Sequence, residues 1–215
     1  MKVNAIITAG GTSSRFGNKN KLLEQINGCE VIKYTVDAFR YSNVDEIIIC
    51  ANLSIMDELK ELFKDYEKVR IIEGGQTRQQ SVYNGLKTDC CDYVLIHDGA
   101  RPVITTELIN ICIEMVKENK ALSVMTKTID TIKEVEHGKI VKTIDRAKLY
   151  NTQTPQAFEY DLILSAHQKY AGRNFTDDAG MVEAMGADVY VIDGSYKNIK
   201  ITTQSDIELA KIYLG

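Results

Sequence analysis

Short apolar runs alternate along this chain with longer stretches whose apolar residues return near every 3.6 positions. The first run, Val3 to Ile7, stops abruptly at small residues and glycines. Glu30 to Ser42 then places Val31, Ile32, Val36 and Phe39 on one face, which predicts a helix. Val44 to Ala51 is rich in β-branched residues and predicts a strand. Ser54, with Asp57 three residues on, reads as the cap of a helix reaching about Asp65. The alternation continues with a strand at Val69 to Glu73, a helix at Thr77 to Leu86 and a strand at Asp92 to His97. A helix capped by Thr105 or Thr106 runs to about Asn119, and Ala121 to Thr126 is again a strand. Strands joined by helical crossovers predict an α/β fold: a Rossmann-like, mostly parallel sheet with helices on both faces.

The rhythm breaks after Thr126. Asp130 to Val135 and Lys139 to Ile144 each alternate polar and apolar, with His137-Gly138 between them. This predicts a β-hairpin, an arm at about 127–146. An exposed hairpin has open edges that need a partner, so a dimerisation role is expected. Residues 151–156 (Asn-Thr-Gln-Thr-Pro-Gln) show no period and read as a polar loop. Helices are expected at Tyr160 to Tyr170, Asp177 to Met185 and Ser205 to Leu214. Asp188 to Ile192 reads as a strand and Asn198 to Thr202 as a short extended piece. No repeat, low-complexity tract or linker interrupts the 215 residues, which predicts one domain over 1–215.

Composition narrows the picture. The chain is 44% hydrophobic with a net charge of −4, which argues against a nucleic-acid surface. The five cysteines (Cys29, Cys50, Cys90, Cys91 and Cys112) show no C-x-x-C spacing and read as free thiols of a reducing compartment. The chain opens directly on a strand and has no apolar run long enough to span a bilayer. A cytoplasmic protein without membrane partners is expected.

The candidate chemistry lies where strands end. Gly10-Gly11 follow the first strand, then Arg15 and Lys21. Glycines let backbone N–H groups approach an anion, and the two cations would add charge. The P-loop pattern fails, because Gly17 is followed by Asn18 rather than lysine. G-x-G-x-x-G is also missing, which removes a nicotinamide dehydrogenase. An ordinary glycine turn with solvated cations is the alternative. In open α/β sheets ligands bind beyond the carboxyl ends of the strands. The segments around Gly10, Gly74 and Gly99 should therefore converge. No G-x-S-x-G is present, and the three histidines match no zinc spacing. His97 reads as a structural histidine. Asp98 is either a magnesium ligand or the cap of a turn. Arg101, Arg146 and Lys200 are cations in connecting segments, each an anion clamp or simply solvated.

Taken together, the motifs resemble a known family. Ala9-Gly10-Gly11 through Arg15 and Lys21 comes first, then Gly74-Gly75-Gln76-Thr77-Arg78-Gln79-Gln80-Ser81-Val82 and Ile96-His97-Asp98-Gly99-Ala100-Arg101-Pro102. Asp130-Thr131, Asp145-Arg146, Gln153-Thr154-Pro155-Gln156, Thr176-Asp177-Asp178-Ala179 and Asn198-Ile199-Lys200-Ile201-Thr202 complete the order. This order resembles that of the 2-C-methyl-D-erythritol 4-phosphate cytidylyltransferases. The resemblance implies CTP along Ala9, Gly10 and Gly11, with its base near Gly75 and Ser81. It places Arg15 and Lys21 on the triphosphate and Asp98 beside the nucleotide as a Mg²⁺ ligand. Arg101, Thr131, Arg146, Thr154 and Lys200 would hold a polyol phosphate, with Thr131 and Arg146 reaching in from the arm of a second copy in a homodimer. Arg15, Lys21, Lys200 and Arg146 would be the catalytic cations. One departure stands out: the family usually reads Pro-Lys-Gln where this chain has Asn20-Lys21-Leu22. The competing readings are a D-ribitol-5-phosphate cytidylyltransferase and a nucleotide-binding module without activity.

Overall fold

The computed structural model describes residues 1–11, 16 and 20–215. Strand β1 (Val3–Ala9) is buried at every position except Thr8. A parallel strand covered on both faces reads as a continuous apolar run, which is why its pattern does not alternate. The side chains nevertheless divide by face. Val3, Ala5, Ile7 and Ala9 pack into one core layer and Ile6 into the other.

A small hairpin follows, β2 (Gln25–Ile26) and β3 (Cys29–Glu30), turned by Asn27 and Gly28 at φ 52° and 82°. Two central residues with positive φ form the turn that matches strand twist. Next come α1 (Val31–Arg40) and β4 (Glu46–Ala51). The following helix is shorter than expected and Ser54 does not cap it. Asn52 instead accepts the Ser54 N–H and starts a 3-10 turn at Leu53–Ile55, before α2 (Met56–Leu62). Then follow β5 (Val69–Glu73) and α3 (Arg78–Leu86), whose cap Thr77 accepts from the Gln80 N–H. After β6 (Tyr93–Asp98), α4 (Thr106–Asn119) is capped by Thr105 and leads to β7 (Ala121–Lys127). The arm strands are β8 (Lys133–Glu136) and β9 (Lys139–Thr143). The chain finishes with β10 (Tyr150–Glu159), α5 (Tyr160–Lys169), α6 (Asp178–Ala184), β11 (Tyr190–Asp193) and α7 (Gln204–Leu214).

Seven strands form the central sheet in the order β11-β7-β10-β6-β1-β4-β5. All neighbours are parallel except β10, which runs antiparallel to both β6 and β7. This corrects the reading of 151–156 as a loop. Gln153, Thr154 and Gln156 are buried, so the strand carries polar side chains where an apolar period was sought. They are satisfied internally: Gln153 Nε2 donates to the Ser195 carbonyl (2.8 Å) and Gln156 Nε2 to Ser123 Oγ (3.1 Å). The register of β10 against β7 shifts between Thr152 and Gln156, around Pro155. Proline lacks a ladder donor, and such irregularities are where strands accept it.

One core layer joins α1, α2, α4 and α7 to the sheet through Val36, Phe39, Leu59, Ile109, Ile113 and Ile207. The other joins α3, α5 and α6 through Val82, Leu86, Ile163, Met181 and Val182. The arm stands apart as its own two-stranded sheet, turned by His137 and Gly138 at φ 48° and 78°. Every position of β9 is exposed. Among the described residues no helix is long and apolar enough to cross a membrane.

Candidate active site

The carboxyl ends of β1 and β6 lie side by side, with Thr8 in register with Asp98. Gly10-Gly11 follows β1, Gly74-Gly75 follows β5 and Gly99-Ala100 follows β6, so the three glycine segments meet as expected. They border a cavity of about 320 Å³ lined by Thr8, Ala9, Gly10, Gly11, Lys21, Arg78, Ser81, Asp98 and Lys200, among others. Ser81 knits its floor: Oγ accepts the Gly75 N–H (2.9 Å) and donates to the Thr77 carbonyl (2.9 Å). A Cβ on Gly10 would come within 2.9 Å of Ser81 Oγ, and one on Gly75 within 2.3 Å of the Gln80 Cβ. Both glycines are therefore required by close approach.

Asp98 is the electrostatic centre and is only 6% exposed. Arg78 Nε donates to its Oδ1 (3.0 Å) and Lys200 Nζ to its Oδ2 (2.7 Å). Thr8 Oγ1 also donates to Oδ1 (3.3 Å), and Arg101 Nε lies 3.9 Å from Oδ2. Burial pushes the Asp98 pKa up, but Arg78, then Lys200 and Arg101, outweigh it, and the carboxyl is held below its ordinary range. Arg78 extends to a second carboxylate: Nη1 donates to Asp178 Oδ2 (2.6 Å). Burial works against the charged guanidinium, but Asp178 and Asp98 hold its pKa above the ordinary value.

Two further cations are tied to a segment remote in sequence. The stretch around Asn198 to Ile201 hydrogen-bonds the β6 loop through Ile201 N–H and the Ala100 carbonyl (2.8 Å). Lys21 Nζ donates to the Ile201 carbonyl (2.8 Å), and Arg101 Nη1 to the Asn198 carbonyl (2.7 Å). Burial lowers the Arg101 pKa. Asn198 Nδ2 donates in turn to the Thr154 carbonyl (2.9 Å), and Thr154 Oγ1 accepts the Asp98 N–H (3.1 Å). A second cavity of about 200 Å³ adjoins the first, sharing Arg78, Asp98 and Lys200 and adding Arg101, Gln153, Thr154, Gln156 and Asp177.

His97 is structural, as expected. It is fully buried, its ring centroid lies 5.1 Å from that of Phe39, and its Nε2 lies 3.5 Å from the Arg101 carbonyl. Burial pushes its pKa down to about 3, so the ring is neutral.

The structure thus brings together Ala9, Gly10, Gly11, Lys21, Gly75, Ser81, Asp98, Arg101, Thr154 and Lys200. Thr131 and Arg146 are exposed on the arm and line neither cavity, and Arg146 Nη1 donates to the Ile129 carbonyl. Arg15 lies outside the described residues. Among the described residues no group of three or more histidine, cysteine or acidic side chains is placed to hold a metal ion. Sequence reasoning did not single out Arg78 or Asp178. Arg78 had a signal, because it follows a glycine pair at a helix start as Arg15 follows Gly10-Gly11. Asp178 had none beyond the acidic start of α6, where Asp177 is the cap.

Comparisons with known proteins agree along the whole chain. The family model described as 2-C-methyl-D-erythritol 4-phosphate cytidylyltransferase matches residues 3–215. Proteins of that name from Clostridioides difficile and Dictyoglomus thermophilum are 39% and 41% identical to this chain. The first match covers 99% of this chain and 93% of the relative, the second 96% and 94%. Among solved structures, 4-diphosphocytidyl-2C-methyl-D-erythritol synthase from Anaerococcus prevotii superposes with a TM-score of 0.88 at 35% identity, covering 99% of this chain and 96% of that one. The 2-C-methyl-D-erythritol 4-phosphate cytidylyltransferase of Francisella tularensis gives 0.85 at 28% identity, covering 99% and 100%. The chain belongs to the 2-C-methyl-D-erythritol 4-phosphate cytidylyltransferase family.

Proposed function

We propose that this chain transfers CMP from CTP to 2-C-methyl-D-erythritol 4-phosphate, a step of isoprenoid biosynthesis, and releases pyrophosphate. The observation that carries the reading is the position of Asp98, Arg78 and Lys200 on the wall shared by two adjoining cavities. The glycine-lined cavity suits the nucleotide, with its phosphates along Ala9, Gly10 and Gly11, its base near Gly75 and Ser81, and Arg15 and Lys21 on the triphosphate. The second suits the polyol phosphate, with Arg101, Thr154 and Lys200 as its contacts. Thr131 and Arg146 complete that cavity from the arm of a second copy, in a homodimer of one-domain chains.

The attacking group is a phosphate oxygen. Its second pKa is about 6, so at neutral pH it is already largely dianionic. No general base is required, which agrees with a neutral, buried His97. The barrier comes from bringing a dianion to a triphosphate. Lys21, Lys200, Arg15 and Arg146 offset that repulsion and stabilise the charge that develops at the α-phosphorus and its leaving oxygen. Asp98 is the residue that would hold Mg²⁺. The donor set fits, because magnesium takes one or two carboxylates and completes its shell with phosphate oxygens and water. Asp98 is ionised, and Lys200 on its Oδ2 is 40% exposed and able to turn toward a phosphate instead. Mg²⁺ bound there with the nucleotide supplies further neutralisation of phosphate charge.

Pyrophosphate release from CTP, run in parallel with 2-C-methyl-D-erythritol 4-phosphate and D-ribitol 5-phosphate, tests the reading. Release with the first alone is expected. Release with the second alone moves the chain to another polyol, and CTP binding without release makes it a binding module.

A further inference from the structure

The peptide unit between Gly10 and Gly11 has little of its own to hold it. Neither residue has a Cβ, so the chain itself does not stop that unit from turning over. A Cβ placed on Gly11 would meet nothing within 4 Å, so packing does not stop it either. Its orientation matters, because the C=O and N–H of a trans peptide point in opposite directions. Asn52, the residue after β4, supplies the restraint. Its backbone N–H donates to the Ala9 carbonyl (3.1 Å) and its side-chain Nδ2 to the Gly10 carbonyl (3.2 Å). The amide cannot sit the other way round, because Oδ1 accepts the Ser54 N–H (2.9 Å), which needs an oxygen. Two successive carbonyls thus face Asn52, and the N–H groups of Gly10 and Gly11 face away from it. β1 lies between β4 and β6, so they face the β6 side, where Asp98 and Ala100 line the cavity together with Gly10 and Gly11. Among the described residues no acceptor takes the Gly11 N–H. Successive N–H groups on one side of a loop make an anion site, whereas a turned-over unit would present the Gly10 carbonyl to a phosphate.

We infer that Asn52 is a positioning residue: its side-chain amide pins the Gly10 carbonyl and so keeps the Gly11 N–H aimed at a phosphate of the bound nucleotide. Asn52 is not among the residues that line the cavity, and it touches no substrate in this account. It acts through the Gly10–Gly11 peptide. The same side chain also starts the 3-10 turn at Leu53–Ile55, so a change at position 52 can act through the turn or through Gly10. Two substitutions separate these routes. The inference rests on the cytidylyl-transfer reading, which puts nucleotide phosphates along this loop.

Asn52→Ser keeps an oxygen for the Ser54 N–H and loses the donor to Gly10, whereas Asn52→Ala loses both. Both variants should weaken CTP binding, read by isothermal titration calorimetry, on the order of 10-fold, the lower end of what a hydrogen bond to a charged group contributes. The KM for CTP should rise with it, while the KM for the polyol phosphate stays within about twofold. Only Asn52→Ala should lower the melting temperature clearly, by about 2–4 °C, as loss of a cap does in a chain of this size. A crystal structure of ligand-free N52S should show the 10–11 peptide turned over or in two orientations. CTP affinity in N52S within about twofold of wild type, an equal loss for CTP and the polyol phosphate, or a 10–11 peptide unmoved in N52S would each overturn the inference. A wild-type chain that does not bind CTP would overturn the functional reading instead, and the crystal structure of N52S would still decide what holds the peptide.

Discussion

Asp98 and Arg146 serve the same proposed reaction from opposite surroundings. Asp98 ends a central strand, is almost wholly buried and is held by two short charge-assisted bonds from side chains on α3 and on the 198–202 segment. Arg146 sits at the base of an arm whose neighbours Ile129 and Ile140 are 64% and 65% exposed, and its side chain donates to a backbone carbonyl. A buried charge is fixed by its own fold. An exposed one is positioned only when something else covers it. The arm's uncovered apolar side chains (Ile129, Val135, Ile140 and Val141) are the surface on which that cover would rest. In the proposed dimer, the contrast divides the site into a part each chain prepares alone and a part it lends to another.

Removing the buried centre should have the largest effect. Asp98→Ala leaves Arg78 and Arg101 facing each other without their shared carboxylate. Breaking a buried pair in this way costs about 3–5 kcal/mol of stability, read by chemical denaturation. Activity should fall on the order of 10²–10³-fold as well. Arg146→Ala should separate the two effects: a loss of activity of about tenfold or more with a stability change within ~0.5 kcal/mol, since the residue is exposed. An equal loss of stability would erase the distinction between the two regions.

The next effect is on pH dependence. The Asp98 and Asp178 carboxyls are held below their ordinary range, so their stabilisation is complete above the unfolded carboxylate pKa of about 4 and drains away as pH falls through the folded values. His97 acts earlier. Burial holds it neutral down to about pH 3, while the unfolded chain takes up that proton below about 6.5. Stability should therefore decline from about pH 6.5 downward, by up to about 1.4 kcal/mol per pH unit for this one group. His97→Gln should flatten the segment between about pH 6.5 and 4.5 and leave the more acid limb in place. The smallest effect belongs to the arm again. Lys142 and Glu134 form an ion pair across it at 2.9 Å, with both side chains largely in solvent. Lys142→Ala should change stability by less than about 1 kcal/mol.

How much of this was legible in the sequence follows from the same contrast. Val3 to Ile7 and Tyr93 to His97 announce buried strands because their side chains are apolar, and the glycines after them announce a ligand edge. His137-Gly138 announces the arm because a tight hairpin turn needs positive φ. β10 was hidden because Gln153, Thr154 and Gln156 are buried by hydrogen bonding rather than by apolarity, and no hydropathy period records that. The Ser54 cap was misplaced by two residues because Asn52 offers the same side-chain chemistry and precedes it. Asp178 was hidden for a different reason: its meaning lies in a contact with Arg78, 100 residues away, which only the folded sheet brings about.

The division of the site between two chains is the central claim, and mixing two variants tests it most directly. Lys200→Ala removes a cation each chain supplies to its own cavity, and Arg146→Ala one that the proposed dimer would have it lend. Each variant alone should keep no more than about a tenth of wild-type activity. Combined one to one and allowed to exchange subunits, half the dimers should be mixed, and each mixed dimer contains one intact site, which returns about a quarter of wild-type activity. A mixture no more active than its components would show that Arg146 serves its own chain, and the account of a shared site would be wrong.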